Sequence, residues 1–187
     1  MPVTTLDPKT ALVVVDLQRG LMGFPTVHPI GEVVNRAAVL AESFRRHDLP
    51  VVLVNVTGGA PGRTEQAPAG GERPAGWADI VPELAGHPGD HLVTKRTWGA
   101  FIGTDLEAQL RGLGVTQIVL AGVATSIGVE STARHAFELG FNVTLAVDAM
   151  TDLNAEAHAN SIARIFPRLG ETGSTAEILA LLDARGA

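Results

Sequence analysis

The sequence predicts an α/β fold, a three-layer, doubly wound sandwich in which helices cover both faces of a mostly parallel sheet. Short apolar runs rich in Val, Leu and Ile alternate with amphipathic stretches at helical spacing, which is the rhythm of repeated βα units. Apolar residues make up 45 % of the chain, charged residues 18 % and aromatics 4 %. Such a core is mostly aliphatic and suits strands buried on both sides. The 187 residues give room for one sizeable core but not comfortably for two, so residues 1–187 are expected to form a single domain.

The elements follow in order. Residues 11–15 (ALVVV) read as a buried strand. Residues 30–46 read as a helix, with Val33, Val34, Ala37, Leu40, Ala41 and Phe44 on one face. Residues 50–56 (PVVLVNV) form a second strand and 91–94 a short third. Thr104 and Glu107 have the spacing of a capping box, opening a helix that stops at Gly114. Residues 117–121 (QIVLA) are the next strand, followed by a turn and a helix running to Gly140. Residues 142–147 form another strand, then a helix covers 155–166. Ser174 and Glu177 form a last capping box before the C-terminal helix. The exception is the stretch 57–90, with eight glycines and five prolines. It is far longer than an ordinary connection, which suggests a binding loop or insert, with one short helix near 79–84. Trp77 within it suggests a segment that packs on something.

Several function classes fall away. The formal net charge is −6 and no run of Lys/Arg exceeds two residues, so the basic footprint needed for nucleic acid or an anionic membrane is missing. No apolar run approaches the ~18 residues of a membrane span, and the first residues, MPVTTLDPKT, lack the pattern of a signal peptide. A cytoplasmic protein is expected. With no cysteine, there is no thiol chemistry, disulfide or thiolate metal site.

Ligands of an open parallel sheet bind outside the carboxyl ends of its strands. Asp16 directly follows ALVVV, Lys95 follows HLVT, and the turn 122–128 (GVATSIG) follows QIVLA. Taken singly, each has an ordinary explanation, since strand-end aspartates cap turns and strand-end lysines are solvated.

Together, VVVDLQRG, VTKRTWGAF and LAGVATSIGVESTARHAFELGFNVTLAVDA resemble the isochorismatase-like hydrolases, a branch of the cysteine hydrolase superfamily. The resemblance runs from about residue 11 to 182. It implies a six-stranded, Rossmann-like sheet, an Asp–Lys–Cys triad at its carboxyl edge, and a cis peptide between Val123 and Ala124. Asp16 and Lys95 match the aspartate and the lysine. Gly128 stands where the cysteine belongs, and the hydroxyls of Thr125, Ser126 and Ser131 do not occupy that position. The resemblance includes members with glycine at this point, which hydrolyse a vinyl ether without a covalent intermediate. It also implies a homo-oligomer, a dimer or tetramer.

The expected activity is therefore hydrolysis of a small, anionic metabolite, with Asp16 as acid or base and Lys95 as its electrostatic partner. The alternative is an inactive member that only binds a metabolite. Val123, Ala124 and Ile127 are expected to line the pocket, with the Ile127–Gly128 amides facing a carboxylate or oxyanion. Gln18, two residues beyond Asp16, should share its side if the strand continues. Trp98 and Phe101 are candidate walls, although core packing also accounts for them. Related nicotinamidases carry an Asp-x-His pair after the second strand, where this chain reads VNVTGGAPG. His87 and His91 have helical spacing but flank Pro88, so they share no helix face. No metal is expected. No nucleotide cofactor is expected either, because GGAPGR lacks the Lys-Ser/Thr of a phosphate loop.

Overall fold

The computed structural model describes residues 2–65 and 73–186. Six strands form one sheet: β1 (Thr10–Val15), β2 (Val51–Val56), β3 (His91–Lys95), β4 (Gln117–Val123), β5 (Asn142–Thr151) and β6 (Glu171–Gly173). Their order is β3-β2-β1-β4-β5-β6, and every pair is parallel. The chain builds outward from β1 in one direction, then crosses to β4 and builds in the other. The order therefore reverses between β1 and β4, where a crevice opens at the carboxyl edge of such a sheet.

Alternation along the strands sorts the core onto two faces. Val13, Val15, Val52 and Val54 pack on one side with α2 (Leu106–Gly112) and α3 (Glu130–Glu138). Leu12, Val14, Val51 and Leu53 pack on the other with α1 (Ile30–Arg46) and α5 (Thr175–Asp183). α1 buries Val33, Val34, Ala37, Leu40, Ala41 and Phe44, the face its periodicity predicts. At the seam of the reversal, Gly122 has φ 122°, and a Cβ there would run into the Val15 carbonyl. Only glycine lets β1 and β4 approach this closely.

Several elements differ from the sequence expectation. No helix forms at 79–84. A single turn closes through the Leu84 and Ala85 N–H groups on Val81 O, and Pro82 holds Val81 away from helical geometry. Ile80 instead bridges antiparallel to Gln18. The Thr104–Glu107 capping box does not form. α2 begins at Leu106, and the Thr104 hydroxyl donates to Ala100 O. The Ser174–Glu177 box does form. The helix expected over 155–166 is present, but changes geometry along its length: α4 (Ala155–Asn160) continues as a π-helical turn (Ser161–Ile165) and closes in a short 3₁₀ turn (Phe166–Arg168) around Pro167. β6 has only three residues and no β-branched run, so the residue pattern does not show it.

Candidate active site

β1 ends at Val15, and Asp16 leaves it with φ 56°. A left-handed backbone costs a residue with a side chain ~1–3 kcal/mol, although aspartate tolerates it better than most. The Asp16 N–H donates to Val54 O at 2.8 Å and the Gln18 N–H to Asp16 O at 2.9 Å, which holds the turn. The carboxylate comes to rest beside Gly128. A Cβ on that glycine would stand 3.3 Å from Asp16 Oδ2 and 3.1 Å from Val15 Cγ1.

Lys95 ends β3, two strands from β1. With strands ~4.8 Å apart, the gap is ~10 Å, which a lysine stem largely spans. Its Nζ donates to Asp16 Oδ2 at 2.8 Å and to Thr97 O at 3.1 Å. Both side chains are buried, at 2 % exposure for Lys95 and 8 % for Asp16. The other oxygen, Asp16 Oδ1, has no partner. Burial pushes the Asp16 carboxyl up to about 6, and the charge and hydrogen bond of Lys95 only partly oppose it.

β4 ends at Val123, the peptide to Ala124 is cis, and a wide turn over Thr125–Val129 leads into α3. Buried Asp152, just past β5, takes the Ser126 N–H on Oδ2 at 2.7 Å and the Leu153 N–H on Oδ1 at 2.8 Å. The Thr125 hydroxyl donates to Thr151 O, and His158 Nδ1 lies 2.9 Å from Thr125 Oγ1. Thr132 Oγ1 donates to Gly128 O at 2.6 Å and accepts the Ala100 N–H at 3.1 Å. This threonine ties the Gly128 turn to the loop that carries Trp98.

A cavity of about 230 Å³ opens here. Asp16, Lys95, Gly128, Val123, Ala124, Ile127 and Trp98 line it, together with Leu21, Phe24, Thr26, Val56, Gly58, Gly59, Thr97 and Leu153. A larger hollow of about 400 Å³ at the amino edge, between Thr5, Gln117 and Gly170, has no Lys or Arg among its described lining residues. Two expected wall residues stand elsewhere. The positive φ at Asp16 ends the strand alternation, so Gln18 turns away from the cavity. Its amide nitrogen donates to Val56 O and Trp77 O, and its oxygen accepts the Val56 N–H at 2.8 Å. Phe101 lies in the core, stacked on Phe141 at 6.1 Å. The Ile127 N–H is used within the turn, on Ala124 O.

Asp152, Thr132 and His158 were not singled out from the sequence. Extending β5 to Thr151 would have exposed Asp152 by the same strand-end rule that finds Asp16. Among the described residues, no three His, Asp or Glu side chains gather as metal ligands would. No helix among them is long and apolar enough to cross a membrane.

The isochorismatase domain model matches residues 10–177. The chain is 47 % identical over 178 residues to YwoC, an uncharacterized isochorismatase family protein of Bacillus subtilis, covering 91 % of this chain and 93 % of that one. It is similar in structure to an isochorismatase family protein from Burkholderia thailandensis, with TM-score 0.92 and 41 % identity over 96 % of this chain and 98 % of that one. It is also 29 % identical over 178 residues to the ureidoacrylate amidohydrolase RutB of Variovorax paradoxus, covering 79 % of this chain and 71 % of that one. On these matches and this fold, the chain belongs to the isochorismatase family of hydrolases.

Proposed function

We propose that this protein hydrolyses a vinyl ether or related bond in a small anionic metabolite without a covalent enzyme intermediate, Asp16 moving the proton and Lys95 balancing its charge. The observation that carries the reading is the Asp16 carboxyl itself. It lines the cavity, has one unpartnered oxygen, and is pushed up to about 6. A carboxyl of that kind is partly protonated near neutral pH and can both give and take a proton.

With a vinyl ether, protonated Asp16 delivers its proton to the terminal carbon of the double bond. The π electrons form the new C–H bond, and the positive charge left behind is shared with the ether oxygen. Water adds to that carbon and returns a proton to the Asp16 carboxylate. The hemiketal then expels an alcohol and leaves a ketone. Lys95 holds the carboxylate through the step in which it is charged. Gly128 packs closely beside the acid, where a Cβ would come within 3.3 Å of Asp16 Oδ2, so glycine keeps that side of the carboxyl free of a side chain.

The test is a turnover screen of small vinyl ethers, esters and amides, comparing the wild type with Asp16→Asn. The variant removes the ionisable group and keeps its shape, so turnover should fall by at least about a hundredfold with an unchanged circular dichroism spectrum. Turnover within a few-fold of wild type would remove Asp16 from the mechanism. Binding without turnover across the whole panel would favour the pocket that only binds.

A further inference from the structure

We propose that the substrate is a monocarboxylate with a flat apolar body, its carboxylate held at the rim by Arg96. The proposal rests on the functional reading above and specifies the substrate of that site.

The body is read from the walls. Phe24, Trp98, Ile127 and Leu153 line the cavity and remain between 37 % and 62 % exposed. Large apolar side chains left open to water around one mouth gain by being covered, and an apolar ligand covers them.

The charge is read from the cations. Lys95 is the only Lys or Arg among the described lining residues, and its ammonium is already committed to Asp16 Oδ2 and Thr97 O. A carboxylate carried to the cavity floor would meet Asp16 as well, a like charge in a desolvated site. A second negative charge on the ligand would therefore lack a partner. The rim is different. Arg96 follows Lys95, is exposed, and forms no ion pair or hydrogen bond among the described residues. Its stem and Nε lie against Gly58, a lining residue, with Nε 3.2 Å and Cβ 3.3 Å from where a Gly58 Cβ would stand. With no side chain at Gly58, the stem of the arginine packs directly on a residue of the mouth. A guanidinium there offers two parallel N–H donors to one carboxylate, a geometry that a lysine ammonium cannot match.

The probes are benzoate, its neutral isostere benzamide, and the dianion isophthalate, titrated by calorimetry into wild type, Arg96→Gln and Asp16→Asn. Benzoate should bind wild type about tenfold more tightly than benzamide, and isophthalate no better than benzamide. Arg96→Gln should bring benzoate to within about threefold of benzamide and leave benzamide itself unchanged. Asp16→Asn should keep the preference for benzoate, because the carboxylate sits at the rim and not on the acid. Failure of both benzoate and benzamide to bind wild type at millimolar concentration would overturn the apolar body. Equal binding of benzoate and benzamide, tighter binding of isophthalate, or an unaltered preference in Arg96→Gln would overturn the role of Arg96. None of these outcomes depends on turnover, so they stand apart from the loss of hydrolysis in Asp16→Asn.

Discussion

At the scale of single residues, the site is a balance of two opposed effects on one carboxyl. Burial raises Asp16 and Lys95 lowers it, and burial wins. Removing the ammonium while keeping its volume, with Lys95→Met, should therefore push the carboxyl further up. If protonated Asp16 is the acid, wild-type turnover falls as pH rises above about 6, and in Lys95→Met that fall moves at least about one pH unit to the alkaline side. A pH–rate profile of both proteins measures it, and a fall below pH 6 instead would show Asp16 acting as a base on water. Gly128 gives a second prediction. A thiol introduced by Gly128→Cys would start from a Cβ 3.3 Å from Asp16 Oδ2 and next to the Lys95 ion pair. It should be alkylated by iodoacetamide faster at neutral pH than thiols introduced by Ser126→Cys or Ser131→Cys, since an ammonium and an adjacent base both favour thiolate. The slowest labelling of the three would mean that position 128 faces away from the reacting centre.

At the scale of elements, the segment around Trp77 is fastened to the ends of β1 and β2 by side chains that do no chemistry. The Gln18 amide bridges Val56 and Trp77, and the Asn55 amide donates to Ala78 O. Trp77 also occupies the space over Gly20, where a Cβ would overlap the indole ring. Gly20→Ala should therefore lift the tryptophan off its seat and destabilise the protein by about 1–3 kcal/mol, the usual cost of overpacking. A urea melt followed by tryptophan fluorescence would show both the loss and the change in environment. An unchanged midpoint would mean that the indole has other room. The pattern of legibility follows the same physics. α1 was readable because seventeen residues repeat one apolar face, and β1, β2 and β4 because they are continuous aliphatic runs buried on both sides. Asp16 was readable because it directly ends such a run, and Lys95 because it ends the shorter, half-exposed β3. Gln18 was misplaced because a positive φ at one residue cancels the alternation that would have put it in the cavity, and no sequence pattern announces that turn. Phe24, Thr26 and Leu153 reach the cavity from segments without periodicity, so only their placement in space reveals them.

At the scale of the whole molecule, the site contributes a measurable term to stability. Asp16 has a folded value of about 6 against an ordinary 3.8, so between those values the folded chain holds a proton that the unfolded chain has lost. That favourable contribution is fully present below pH 3.8 and is gone above about 6, a change of at most about 3 kcal/mol by linkage. The difference in unfolding free energy between wild type and Asp16→Asn should thus move against wild type as pH rises from 4 to 6, then level off. Denaturant melts at several pH values would show the slope, and a flat difference would mean that the carboxyl titrates normally. Gly122 sets a different kind of limit. Because it alone permits the close approach of β1 to β4, the two strands that carry Asp16 and the Gly128 turn are locked at one separation. New specificity can then be acquired through the side chains of the mouth outside that seam, at residues 21–26, 58–59, 96–98, 127 and 153. A lineage or a selection experiment seeking a new substrate will accumulate its changes there, leaving positions 15, 16, 122 and 128 as they are.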